Sequence, residues 1–329
     1  MEKSKNIYAT IVQGRYALRA LALYESINKY LKHNILIILC LDDEAWQLLR
    51  KLNLSNCRVL QAESFETPLL QKLKIERPTA EYCWTCKPFI LDFIFSEYKN
   101  VGWAIYLDSD TMVFSDPDQG LPEDPESHVL LTPHRPTTSY FLEHIKNAGT
   151  YNAGYIAFRN SILGKDVLLW WLEKCVEACP MVPQEGIYGD QYYLNYMPKL
   201  FKGIMISSNK GLNAAPWNIN GHVVRKVGDR TFIGDDELLT YHMQGVEIIT
   251  NRIIDFYKGN YVVPKKVKEY IYRPYAFYLM KSWDKIKANF PALFNLSDVS
   301  SLQKRFIIRH LIKIINRKSN LYINILDNK

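Results

Sequence analysis

Trp103-Ala-Ile-Tyr-Leu107-Asp108-Ser-Asp110 is the stretch from which the fold is read. Five mostly apolar residues run into two carboxylates spaced i, i+2. A buried strand that ends this way sets acidic oxygens at the carboxyl edge of a sheet, where open α/β folds bind their ligands. Paired oxygen ligands suit Mg²⁺ or Mn²⁺, ions that commonly hold phosphate-bearing substrates. The motif alone says little, since a chain of this length contains roughly one Asp-x-Asp by chance. A second occurs at Asp116-Pro-Asp118 and, lying past the strand, reads as a loop.

Outward from this stretch, the N-terminal side has the rhythm of alternating strands and helices. Residues 7–12 alternate and are rich in β-branched types, so they read as a strand. Residues 17–27 are apolar at helical spacing. Residues 35–41 run without polar interruption, as a strand covered on both faces does. Asp42-Asp43-Glu44 places acids at the start of a helix over 43–51, and 57–60 is a third short strand. This β-α-β-α-β order opens a doubly wound α/β domain.

A buried helix is predicted over 87–95, with Pro88 near its first turn, leading into the acidic strand. Thr111 to Phe114 is expected to continue that strand. Further strands are expected at 129–131, 151–158, 202–206 and 238–242. An amphipathic helix is predicted over 163–179, and a Tyr-rich helix opening at Gly189-Asp190-Gln191.

Composition bounds the rest. The chain has 329 residues, 48% hydrophobic and 23% charged, ordinary for a globular protein able to bury a large core. The longest strongly apolar run is strand-sized, too short to cross a bilayer, and the first residues carry no secretory pattern. Of the six cysteines, Cys83 and Cys86 form a lone C-x-x-C without a second pair at zinc-ribbon spacing, so reduced structural thiols are expected. Residues 261–329 hold 14 Lys/Arg against four Asp/Glu, whereas residues 1–260 hold 27 against 30. A mildly acidic body with a basic tail points to an anionic surface as the tail's partner. Residues 302–315 separate apolar from basic side chains at helical spacing, the pattern of an interfacial helix drawn to anionic lipid. No nucleic-acid-binding module is present.

Taken in order, Lys87-Pro88, Tyr106-Leu-Asp-Ser-Asp-Thr-Met-Val-Phe114, Thr150-Tyr-Asn-Ala-Gly-Tyr155, Gly189-Asp-Gln191, Asn213-Ala-Ala-Pro-Trp-Asn218 and Tyr241-His-Met-Gln-Gly245 resemble the retaining GT-A glycosyltransferases, close to glycosyltransferase family 8. The likeness spans about residues 7–245. It implies a GT-A, Rossmann-like mixed sheet flanked by helices over residues 1–260, followed by a basic, aromatic-rich helical region over 261–329 for membrane or acceptor attachment. It implies Asp108, Asp110 and His242 as ligands of Mn²⁺ or Mg²⁺, which is also the natural chemistry of a neutral imidazole. The donor, a nucleotide-diphosphate sugar such as a UDP-hexose, would be held by Thr10, Tyr16, Lys87, Ser109, Asn152 and Gly154, with Tyr16 stacking on the base. Asp190 and Gln191 would lie at the anomeric carbon, and Trp217 and Asn218 on the acceptor side.

The implied reaction is transfer to a glycan or glycolipid acceptor, as in cell-surface polysaccharide or lipopolysaccharide synthesis. It would take place in the cytoplasm, with a peripheral membrane location open. One departure stands out. The family follows its metal-binding histidine with a glycine and then a Lys-Pro-Trp run whose lysine contacts the diphosphate; here Gly245 is followed by Val-Glu-Ile-Ile, leaving Arg252 or Lys258 to substitute. Two rival readings are a haloacid-dehalogenase-like phosphatase, whose nucleophile motif also ends a strand in Asp-x-Asp, and a catalytically silent GT-A scaffold at a membrane. Met112 stands where the phosphatase motif has Thr or Val.

Overall fold

A computed structural model describes residues 4–31, 33–250, 252–289 and 319–323. Strands β1 (Lys5–Val12), β2 (Ile35–Cys40) and β3 (Cys57–Gln61) alternate with helices α1 (Ala17–Ile27) and α2 (Asp43–Arg50). The Asp42 side chain caps α2 by accepting the Ala45 amide at 2.8 Å. Two short helices, α3 (Ala62–Phe65) and α4 (Pro68–Glu76), precede the long α5 (Thr79–Glu97) and the strand β4 (Val101–Leu107). Then follow β5 (Thr111–Val113), β6 (Val129–Pro133), α6 (Ser139–Ile145), β7 (Tyr151–Arg159) and α7 (Ile162–Glu177).

The main sheet has seven strands in the order β3-β2-β1-β4-β7-β6-β8, with β8 at Ile204–Ile206. Only β7 runs against its neighbours. The result is a mixed α/β sheet with helices on both faces. Period-two alternation splits the core between its faces. Ile7, Ala9 and Ile11 of β1 face α4, α5 and α7, whereas Tyr8 and Val12 face α1 and α2.

Three local expectations change. The chain turns at Asp108-Ser-Asp110, where the Thr111 amide donates back to the Asp108 carbonyl at 3.0 Å. The next strand, β5, therefore leaves the main sheet rather than continuing β4. The helix carrying Lys87 begins at Thr79, so Pro88 lies in its interior and not in its first turn. Proline there forgoes one helical hydrogen bond, and burial of Cys86, Ile90 and Leu91 in the core holds the helix together across it. Gly189-Asp190-Gln191 forms a turn, with Gly189 at φ +55°, and a short 3-10 segment (Tyr192–Asn195) and α8 (Met197–Leu200) follow in place of one helix.

Beyond β8, a three-stranded ladder of β9 (Val224–Val227), β10 (Arg230–Ile233) and β11 (Asp236–Glu237) leads to β12 (Thr240–His242), which pairs antiparallel with β5. Strands β13 (Glu247–Ile248) and β14 (Ile253–Asp255) follow, then α9 (Lys265–Val267), a π-helical turn (Lys268–Tyr272) and α10 (Arg273–Asn289). Residues 261–289 pack onto the body. Tyr272, Tyr275 and Ala276 share a buried cluster with Met112 and Tyr241, and Lys281 and Lys285 of α10 both reach Glu25 of α1, at 3.1 and 3.2 Å. Strand β15 (Leu321–Ile323) pairs with β14. The amphipathic stretch expected over 302–315 lies outside the described residues. Among the described residues, no helix is long and apolar enough to cross a membrane.

Candidate active site

The β5–β12 ladder decides the site. Its register sets His242 opposite Thr111, and the Met243 amide donates to the Asp110 carbonyl at 2.8 Å. A histidine 132 positions after Asp110 is thereby delivered to the end of β4. Asp108, Asp110 and His242 each offer one ligand atom, all within 4.8 Å of one another. The Nε2 of His242 lies 3.2 Å from Asp110 Oδ1 and 3.8 Å from Asp108 Oδ2.

The remaining carboxylate oxygens are held by cations. Asp108 Oδ1 is 3.1 Å from the Lys87 ammonium, and Asp110 Oδ2 is 3.4 Å from the Arg19 guanidinium. Each carboxylate is therefore oriented by one oxygen and presents the other toward the imidazole, as partners behind a metal site orient its ligands. Two carboxylates and one imidazole at this spacing fit a small divalent cation.

Electrostatics follow from these contacts. Burial pushes the Asp110 carboxyl up, but His242 and Arg19 outweigh it and hold it down at about 2. Burial disfavours the charged imidazole of His242, yet Asp110 and Asp108 raise its pKa above the ordinary value. Lys87 is buried, and its ammonium lies between Asp108 and Asp190, 3.2 Å from Asp190 Oδ2. The two carboxylates overcome the burial cost and push the lysine's pKa well up. Burial and the nearby Asp108 raise the Asp190 carboxyl although Lys87 opposes them.

Asp108, His242, Lys87 and Asp190 line a cavity of about 320 Å³ together with Asn152, Gln191, Trp217 and the unforeseen Trp84 and His134. Both ends of the Asn152 amide are engaged. Its Oδ1 accepts from the Gly154 amide and from Asn213 at 2.9 and 3.0 Å, and its Nδ2 donates to Gln191 Oε1 at 3.2 Å. The Gln191 amide in turn donates to the Ala148 carbonyl at 3.1 Å. Gly154 is required sterically, because a Cβ there would sit 2.5 Å from His242 Nδ1. His134 Nδ1 lies 2.9 Å from the Gly149 carbonyl, and burial drives its pKa down to about 4, so it is a neutral ring with Nδ1 donating. Trp217 sets its ring edge-on to both His134 and His242, with centroids 5.5 and 5.2 Å away.

The other sequence-derived positions fall further out. Ser109 is buried in the turn between the two aspartates. Thr10 is fully buried in β1, its hydroxyl without a hydrogen-bond partner among the described residues. Tyr16 is 54% exposed and lies over Arg19 at 4.9 Å, so the Arg19 that holds Asp110 also backs this ring. Asn218 does not line the cavity; its side chain accepts the Ala215 amide at 2.8 Å and closes a turn. Lys258 is exposed, its backbone amide bonded to the Gly245 carbonyl at 2.8 Å, and Arg252 is also exposed. Cys83 and Cys86 are free thiols on α5 and, among the described residues, join no metal-sized cluster.

Arg19 had a sequence signal, a single basic residue within the apolar opening turns of α1. His134 and Trp84 had none, since a lone histidine after a strand and a tryptophan on a helix fit many roles.

No protein-family model matches the chain. The uncharacterized protein YfnD of Bacillus subtilis (strain 168) is 28% identical over 286 residues, covering 86% of this chain and 92% of that one. Among solved structures, a glycosyltransferase involved in glycosylation of the major capsid of PBCV-1 aligns over 74% of this chain and 94% of its own at 15% identity and a TM-score of 0.43. The galactosyltransferase LgtC, in complex with donor and acceptor sugar analogs, aligns over 64% and 76% at 16% identity and a TM-score of 0.41. Neither alignment is close enough to transfer a residue or an activity. The uncharacterized protein YfnF of Bacillus subtilis (strain 168) is 32% identical over 249 residues, covering 74% of this chain and 82% of that one, and the chain belongs to the YfnF family.

Proposed function

We propose that this protein is a metal-dependent, retaining glycosyltransferase that moves a sugar from a nucleotide-diphosphate sugar, such as a UDP-hexose, to a glycan or lipid-linked glycan. The observation that carries the reading is the convergence of Asp108, Asp110 and His242 on one point, with Lys87 joining that cluster to Asp190. A cation site and a further carboxylate linked to it through Lys87 suit cleavage of a sugar–diphosphate bond, one stabilising the leaving group and the other the anomeric carbon.

Asp108, Asp110 and His242 would hold Mn²⁺ or Mg²⁺, which supplies charge stabilisation to the leaving diphosphate. Arg19, paired to Asp110 and backing the exposed Tyr16, would take the diphosphate contact that the resembled family assigns to its lysine after the histidine. Tyr16 would stack on the base beyond it. The sugar would occupy the cavity lined by Asn152, Asp190 and Gln191. Positive charge develops at the anomeric carbon as its bond to the diphosphate oxygen breaks, and the Asp190 carboxylate supports that charge. Lys87 holds Asp190 and Asp108 on one ammonium and offsets part of their mutual repulsion. The acceptor hydroxyl then bonds the same face of the sugar, either directly or after a short-lived adduct with Asp190 or Gln191, and its proton passes to the departing diphosphate oxygen. The basic C-terminal region would bring the enzyme to an anionic membrane face where a lipid-linked acceptor resides.

The test is a panel of nucleotide sugars with Mn²⁺, scored by thermal shift and by hydrolysis. The expected result is stabilisation and slow hydrolysis with one nucleotide class. Hydrolysis of a simple phosphomonoester instead would favour the phosphatase reading. Liposome binding without any nucleotide-dependent shift would favour a silent scaffold.

A further inference from the structure

Beside the donor cavity lies a second one of about 280 Å³, lined by Arg135, Thr137, Ser207, Ser208, Lys210 and His222. Strands β6 and β8 run parallel, and Arg135 and Ser207 follow their carboxyl ends. The groove therefore opens at the same end of the sheet as Asp108, toward the β8 edge. His134 and Trp217 line the first cavity, while their chain neighbours Arg135 and Asn218 line the second.

The groove gathers two permanent cations and an imidazole against one nearby carboxylate, Asp236. Arg135 donates to the carbonyls of Ser208, Asn209 and Leu212 at 3.2–3.5 Å, and among the described residues no carboxylate pairs with it. Its backbone is held at φ +50°, a region costly for a residue with a side chain and more often kept where function constrains it. The nearest acid is Asp236, whose carboxylate lies 3.9 Å from the Lys210 ammonium and accepts the Lys210 amide at 3.1 Å. Burial, then Lys210 and Arg135, push the His222 imidazole below its ordinary pKa despite Asp236. Two permanent cations, an imidazole and three hydroxyls from separate loops match an oxyanion with several acceptor atoms.

We propose that this groove is an anion subsite that takes a phosphate group carried by the acceptor sugar, holding the acceptor beside the donor cavity. Its assignment to the acceptor rests on the glycosyltransferase reading; its affinity for phosphate does not.

The test follows the His222 ring resonances by NMR during titration with glucose 1-phosphate, inorganic phosphate and glucose. The expected result is a saturable shift with glucose 1-phosphate, about fivefold tighter than with inorganic phosphate, and no shift with glucose. Lys210→Gln should weaken the phosphate titrations about tenfold by removing one charge-assisted contact. Arg135→Gln should weaken them further, with Lys210→Gln as the informative variant if loss of the Arg135 carbonyl contacts unfolds the loop. Absence of a saturable shift, or unchanged affinity in Lys210→Gln, would overturn the anion site. Equal affinity for inorganic phosphate and glucose 1-phosphate would overturn the acceptor assignment. Failure of the transferase reading would show separately, as absence of hydrolysis of every nucleotide sugar with the phosphate titration intact.

Discussion

Two Asp-x-Asp pairs lie six residues apart in this chain and meet opposite fates. Asp108 and Asp110 end a central strand, are steadied by Lys87 and Arg19, and receive His242 from a distant ladder. Asp116 and Asp118 flank Pro117 at the start of a 3-10 turn, where the Asp116 side chain accepts the Asp118 amide at 3.1 Å. Asp118 then accepts the Tyr8 hydroxyl and, at 2.8 Å, the Asn34 amide. It ties β1 to the segment before β2 and is structural. The spacing of the carboxylates is identical, so the motif does not distinguish them. What differs is which neighbours arrive: an imidazole and two cations for one pair, a tyrosine hydroxyl and an asparagine amide at Asp118 of the other.

The comparison can be broken by substitution at either pair. Asp110→Ala should lower metal-dependent turnover of a nucleotide sugar by about 10²–10³-fold, the scale of removing one preorganised electrostatic group. Circular dichroism should remain native. Turnover at the wild-type level would remove Asp110 from the metal site.

Asp118→Ala should do the reverse, costing about 1–3 kcal/mol of stability through the stranded Tyr8 hydroxyl and Asn34 amide. Its Mn²⁺ affinity, measured by calorimetry, should match the wild type. A weakened Mn²⁺ site with unchanged denaturant midpoint would invert the roles given to the two pairs.

The smallest effect is in pH. A metal binds the neutral imidazole, and Asp110 and Asp108 raise the pKa of His242. As pH falls below that raised pKa, a proton competes for Nε2, so apparent Mn²⁺ affinity should drop about tenfold per unit and level off above it. Asp118→Ala should leave this profile in place, and His242→Asn should flatten it. A wild-type profile flat across the imidazole range would mean that His242 is no ligand.

Much of this was legible along the chain, for physical reasons that particular elements make plain. The unbroken apolar run of β2 can be buried only by cover on both faces, so it announces a sheet between helix layers. The apolar strand into Asp108-Ser-Asp110 likewise announces where the carboxyl edge must be. Short-range chemistry was less legible wherever packing overrode it. Pro88 reads as a helix start, but core contacts on both sides keep it inside a longer helix.

What the sequence by itself determined is the α/β order, the strand that carries the acidic pair, and the series of polar residues that could serve it. These depend on local periodicity, which survives without knowledge of distant partners. The tertiary structure alone decided that β5 leaves the sheet to pair with β12, that His242 thereby faces Asp110, that Arg19 and His134 join the site, and that Arg135 turns away into a second groove. Each of these depends on the register and direction of segments far apart in the chain, which no local pattern encodes. The same rule separates the two acidic pairs: their sequences match, and only the fold determines which one a histidine reaches.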